Sequence, residues 1–90
     1  MTTLASWKRG TKAGDVLLCV ENTYRPEING TRRYLNQVGP SVVVCTLEDQ
    51  ESRNYRMEWP KASDVLSVTD EEITYKIGIG DHTVTLRRVA

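Results

Sequence analysis

This chain is punctuated like a β protein. Short runs of β-branched and aromatic residues recur about every ten positions, and Gly, Pro, Asn or Asp closes most of them. No segment carries a helical period longer than one turn. Ser41–Leu47 is the clearest run, with Val42, Val43 and Val44 in a row before Cys45. Arg53–Trp59 alternates, setting Tyr55, Met57 and Trp59 on one face and Asn54, Arg56 and Glu58 on the other. The glycine-led "AGDVLLCVE" predicts a strand over Val16–Glu21, and Arg32–Val38 predicts a second with Tyr34, Asn36 and Val38 on one side. Between them "NTYRPEINGT", Asn22–Thr31, has no periodic apolar face, and Pro26, Asn29 and Gly30 make it a long loop. Gly39-Pro40 turns the chain, and "EDQES" is a polar link of hairpin length. The C-terminal region predicts a hairpin: Ile73, Tyr75 and Ile77 on one strand, "GIGD" as the turn, then His82–Val89 with Val84 and Leu86 in matching phase.

One stretch breaks the rhythm, "EWPKASDVL" at Glu58–Leu66. Pro60 cannot donate to a ladder and fixes its own φ, so it ends the strand before it. "KASDV" has the length of a single 3₁₀ turn, a form used as a connector, and Leu66–Thr69 resumes as a short strand. A GD-led strand, a long loop, three meandering strands, a 3₁₀ turn introduced by Pro and a short strand together resemble the SH3-like small barrel. The resemblance covers about Gly14–Thr69 and is one of pattern. It implies an all-β, SH3-like small barrel of five short strands in which the 3₁₀ turn joins the fourth strand to the fifth. The hairpin 72–89 is then an addition outside that five-strand core. Residues 1–13 read as an N-terminal arm, and residues 14–90 as one domain. The chain lacks the acidic cluster and "ALYDY"-type aromatic run of peptide-binding SH3 domains. It also lacks the glycine pattern of the ribosomal and transcription-factor motif in the same fold class. Neither ligand is therefore implied, because function lives in sites rather than folds. The compactness, the tryptophans and the lack of familiar motifs also resemble short bacteriophage proteins, particularly those of phages infecting actinobacteria.

Composition excludes several classes. With 39% hydrophobic and 27% charged residues, the chain is apolar enough to fold and too apolar to be disordered. Ninety residues build one thin core, with little room for a deep, dry active site. No apolar run reaches the roughly 20 residues of a membrane span. "MTTLASWKRG" has no apolar h-region of a secretory signal, so a cytoplasmic protein is expected. Net charge is zero, with six Lys/Arg against three acids in residues 1–45 and six against nine in residues 46–90. That balance lacks the global basicity of a dedicated nucleic-acid binder.

Catalysis needs a positioned acid, base or nucleophile, and this chain offers one histidine, His82, at the start of the last strand. Cys19 and Cys45 sit in apolar runs, where a thiol is buried and inert. Serines occur singly, without a strained G-x-S-x-G elbow. One His and two separated Cys do not make a zinc site, and "TDEE" at Thr69–Glu72, with Asp64 and Asp81, reads as a solvated acidic turn rather than a calcium loop. "NGT" at Asn29–Thr31 reads as turn chemistry. The expectation is a protein that is not an enzyme and has no cofactor or metal.

Interaction surfaces remain. Tyr, Trp and Arg dominate interface energetics. Tyr24, Arg25, Ile28, Arg32 and Arg33, on or beside the long loop, form the expected surface for a protein partner, with Trp59 at its edge. Trp59, in phase with Tyr55 and Met57, equally suits the core. An alternative is nucleic-acid binding by a basic-aromatic patch of Trp7, Lys8, Arg9, Lys12, Arg32, Arg33 and Tyr34, since stacked bases contribute roughly 1–3 kcal/mol each. Trp7 either anchors the arm to the barrel or stays free for a partner. A third reading is an assembly subunit, in which an open strand edge pairs with another chain or a second copy.

Overall fold

The computed structural model describes residues 2–48, 54–78 and 80–89. Seven antiparallel strands form one sheet: β1 (Val16–Asn22), β2 (Arg32–Val38), β3 (Val42–Leu47), β4 (Tyr55–Glu58), β5 (Val65–Val68), β6 (Glu72–Lys76) and β7 (Thr83–Val89). Their order across the sheet is β4-β3-β2-β1-β7-β6-β5. The predicted polar link between β3 and β4 falls largely on residues 49–53, outside the described residues.

The sheet curls into a half-barrel, and chain connectivity explains why. Laid flat, the outermost of seven strands would stand about 29 Å apart at roughly 4.8 Å per spacing. Yet β4 and β5 are joined directly through Trp59–Asp64, a path that reaches at most about 25 Å when fully extended. It is shorter here, because Ala62–Asp64 form a 3₁₀ turn. The stretch that broke the sequence rhythm is thus a strap across the open side, tying the two edges of one sheet. Bulges add curvature at Val20, Asn36 and Leu66, where the register slips in β1, β2 and β5. Val20 and Leu66 are consequently 41% and 54% exposed, although they are aliphatic residues inside strands.

The hairpin expected to be an addition lies at the centre. β7 pairs with β1 from Val16↔Val89 to Asn22↔Val84, and with β6 from Glu72↔Arg87 to Lys76↔Thr83. β1 carries fully buried Leu17 and Cys19, so it needs a buried neighbour on each side. Val84, Leu86 and Ile73 supply the continuation of that inner face. A five-strand core without the hairpin would leave it open.

Residues 1–13, read as an arm, contain a helix that packs into the domain: α1 (Leu4–Arg9). Thr3 and Ser6 make a capping box, with Thr3 Oγ1 accepting from the Ser6 amide at 3.2 Å and Ser6 Oγ from the Thr3 amide at 2.9 Å. Leu4 and Trp7, three residues apart, share the inward face. Trp7 is 1% exposed and meets Trp59 edge-on, with ring centroids 6.1 Å apart. Arg88 reaches over from β7, its Cζ 3.9 Å from the Trp7 ring centroid. Its Nη2 donates to the Trp7 carbonyl at 2.7 Å, and its Nη1 donates to Thr11 Oγ1 at 2.8 Å. A cation thus satisfies the carbonyl end of the helix. Of the two fates predicted for Trp7, anchoring holds.

α1 closes one end of the half-barrel, with Trp7 against Trp59 at the start of the strap. At the other end the β1–β2 loop, the β6–β7 turn and the end of β3 converge: the Glu48 amide donates to the Arg32 carbonyl, and the Thr23 amide donates to the Thr83 carbonyl. Among the described residues no helix is long and apolar enough to cross a membrane.

Candidate functional site

The β1–β2 loop is built to hold its outer residues still. The bulge after Cys19 shifts the parity of β1, so Asn22 turns inward and is buried. From there Asn22 Oδ1 accepts the amides of Tyr24 and Arg25, at 3.0 and 2.8 Å. Asn29 Oδ1 returns across the loop to accept the Asn22 amide at 2.6 Å. A 3₁₀ turn over Pro26–Ile28 seats the Ile28 side chain in the core. Gly30 closes the loop with φ +86°, donating its amide to the Cys19 carbonyl at 2.7 Å. The "NGT" is turn chemistry, as the sequence predicted.

This frame presents Tyr24, 66% exposed, with its ring edge-on to His82 at 5.0 Å between centroids. His82 Nδ1 lies 3.3 Å from Thr23 Oγ1. Tyr24, His82, Ile77 and Gly78 bound an apolar hollow of about 490 Å³. A second hollow of about 320 Å³ adjoins it, since Tyr24 and Ile77 line both. The second is lined by Tyr55 and Arg56 of β4, by Tyr75 of β6 and by Arg33 of β2.

Arg33 stands on the inner face of β2 beside Leu35 and is 5% exposed. Its Nη1 donates to Met57 Sδ at 2.8 Å, and its Cζ lies 5.8 Å from the Tyr55 ring centroid. Its charge also acts on the nearby Cys19 thiol. Among the described residues no carboxylate pairs with it. Burial pushes the Cys19 and Cys45 thiols upward against the pull of the Arg33 charge. Burial likewise pushes the Tyr75 phenol to about 12. Both cysteines are free and buried, the state their apolar runs predicted.

The two predicted surfaces fare differently. Of the protein-facing set, Tyr24, Arg25 and Arg33 line one cleft. Arg25 is exposed and pairs with Glu27 at 3.3 Å. Arg32 is close in sequence but points outward to Glu48 at 3.3 Å. Ile28 and Trp59 belong to the core, at 7% and 8% exposure, with Trp59 Nε1 bonded to the Gly39 carbonyl. The basic-aromatic patch does not assemble. Trp7 and Arg33 are buried, so neither stacks on a base nor reaches a phosphate at the surface. Lys8 and Arg9 stand on α1 beside Val38, Gly39 and Pro40, at the far end of β2 from Arg32. Six strand steps of roughly 3.3 Å put about 20 Å between those ends. Lys12 and Tyr34 are exposed. The acidic turn Thr69–Glu72 is held by its own backbone, and Glu71 and Glu72 pair with Arg87. Asn22, Tyr55, Tyr75 and Ile77 went unrecognised as site residues. Tyr55 and Tyr75 carried a signal, since both share the phase of core neighbours and end in a hydroxyl.

The fold and site define a small curled-sheet domain with a Tyr- and Arg-lined cleft at its loop end. Comparison with protein-family models, curated proteins and solved structures finds no match.

Proposed function

We propose that the domain is a non-enzymatic protein-interaction module that recognises its partner with the cleft rimmed by Tyr24 and Arg25. One observation carries this reading: Tyr24 projects into solvent from a loop locked by two asparagine side chains. A large ring presented in a fixed pose loses little entropy on binding, and Tyr beside Arg is the pairing that dominates interface energetics. The reading keeps the resemblance of β1–β4, the 3₁₀ turn and β5 to an SH3-like small barrel, with the β6–β7 hairpin inserted between β5 and β1. It also keeps a cytoplasmic setting, and a phage factor acting on a host protein is the source class the sequence style suggests. An enzyme is disfavoured because the two thiols are buried with raised pKa and the His82 ring contacts Thr23 and Tyr24, neither of them a partner that would poise it as a catalytic base.

The test is capture from host lysate with the tagged domain, with and without nuclease, in parallel with Tyr24→Ala and Arg25→Ala variants. The expected result is a protein that survives nuclease and is lost with either variant. If the same protein is retained by both variants, the loop is the wrong surface. Nucleic-acid binding through the members of the basic-aromatic set that are not buried, Lys8, Arg9, Lys12, Arg32 and Tyr34, is the alternative; it predicts material that nuclease removes and affinity that falls steeply with salt. An assembly role predicts concentration-dependent oligomers through the unpaired edges of β4 and β5.

A further inference from the structure

We infer that Arg33 is the floor of a carboxylate-binding site, reached through the Tyr24 cleft, that takes an acidic side chain or the C-terminal carboxylate of a protein partner. The inference deepens the interaction reading and rests on it.

A guanidinium stays charged at any working pH, and a buried charge ordinarily has a counter-charge. Arg33 has none among the described residues. Its neighbours are a thioether, a thiol and a phenol ring. These soft acceptors orient the group without neutralising it, and the Cys19 thiol is held protonated by its burial. Guanidinium has five N–H donors, more than these contacts use. Its remaining nitrogens are not sealed in the protein: the one wholly buried side-chain nitrogen without a partner among the described residues is Trp7 Nε1. Arg33 lines the 320 Å³ hollow together with Tyr75, whose hydroxyl makes no hydrogen bond among the described residues. A planar fork with a phenol O–H alongside matches the two oxygens of a carboxylate. One uncompensated buried charge also matches a monoanion. A phosphate dianion would need a second buried cation, and Arg25 and Arg56 are exposed, with Arg25 already paired to Glu27. Glu58 lines the same hollow but forms no ion pair with Arg33. Tyr24 and Tyr55 line the same hollow, and a carboxylate held there against the buried guanidinium is less screened than one at the open surface, which strengthens the pair.

The test uses N-acetylglutamate N-methylamide as probe, with the glutamine analogue as a neutral isostere and phenyl phosphate as the dianion, at constant ionic strength. Binding is followed through the Arg33 Nε–Hε and backbone amide resonances. The expected result is saturable shifts at Arg33, Tyr55 and Tyr75 with the glutamate probe, and at least tenfold weaker response to the glutamine probe. Arg33→Gln should abolish the response and Arg33→Lys should restore part of it. No saturable shift at Arg33 in the wild-type protein overturns the inference, whether or not the variants fold. So does tighter binding of phenyl phosphate, or an equal response to the neutral probe. Loss of partner capture in Tyr24→Ala with no probe binding would overturn the carboxylate site alone. Probe binding with capture unaffected by Tyr24→Ala would overturn the loop surface alone.

Discussion

Replacing Trp7 by alanine separates a docked helix from a loose arm, and the structure sets the magnitude. The indole is 1% exposed, packs edge-on against Trp59 and lies under the Arg88 guanidinium. Truncating a buried Trp to Ala costs about 3–5 kcal/mol, and the ring–ring and cation–π contacts place this site in the upper part of that range. About 4 kcal/mol is a large share of the roughly 5–13 kcal/mol expected for a domain this size. At a urea m-value of about 1–2 kcal/mol/M, the unfolding midpoint should fall by about 2–4 M. Trp7→Phe should behave differently. The indole Nε1 is buried with no acceptor among the described residues, a defect worth about 1–3 kcal/mol that phenylalanine removes. Its loss of packing is partly offset, so the phenylalanine variant should cost no more than about 1.5 kcal/mol. The assay is urea unfolding of all three proteins followed by far-UV circular dichroism. A cost below about 1 kcal/mol for Trp7→Ala would show that α1 is not part of the core, and equal costs for the two variants would remove the role given to the orphan N–H.

Arg88→Gln removes the donors to the Trp7 carbonyl and Thr11 Oγ1, each a charge-assisted bond, and should destabilise the domain by about 2–3 kcal/mol. Hydrogen exchange should accelerate first at the amides of Trp7, Gly10 and Thr11; uniform acceleration across the sheet would argue against a local clamp. Alkaline pH should weaken the fold. Both thiols are raised above 9.0 in the native state and Tyr75 is raised to about 12, so the unfolded chain releases these protons first. Their contribution is complete below about pH 9 and declines as pH rises, by up to about 1.4 kcal/mol per pH unit for each group in its window. A urea midpoint unchanged from pH 8 to pH 11 would contradict this. In the native protein a thiol reagent at pH 8 should label neither cysteine, and both should react once urea unfolds the chain.

The strands were legible because each carries its own alternation and its own closing residue. Val42–Leu47 and Tyr55–Trp59 needed no tertiary information, and Pro60 marked the start of the strap. α1 was not, since a six-residue helix with two apolar residues has no measurable period; only Thr3 and Ser6, spaced as a capping pair, announced it. Strand order was hidden as well. Nothing local to Thr83–Val89 states that it lies against Val16–Asn22 rather than outside the core. The site was half legible. Tyr24 and Arg25 stood out on a loop rich in turn residues. The inward turn of Arg33 was harder to see, because the bulge at Asn36 breaks the parity of β2 and Tyr34 is the bulkier candidate for its inner face. Leu35 held the missing clue: it fixes the inner face, and Arg33 shares its parity.

The pairing of Val16 with Val89 means that the chain returns to its own beginning. Reading the sheet from β5 through β6, β7, β1, β2 and β3 to β4 follows chain order with a single jump, from the C-terminus to the N-terminus. The domain is therefore a simple seven-strand meander whose cut has been moved. The strap closes what would be its two ends, and the first and last strands fall side by side in the middle. Every neighbouring pair but one is a local hairpin, so the slow event in folding is the single long-range zipping of the first strand onto the last. A permuted chain opened within Lys61–Ser63 and rejoined through α1 would convert that step into one more hairpin. The two halves now held by β1–β7 would then assemble from their shared middle outward.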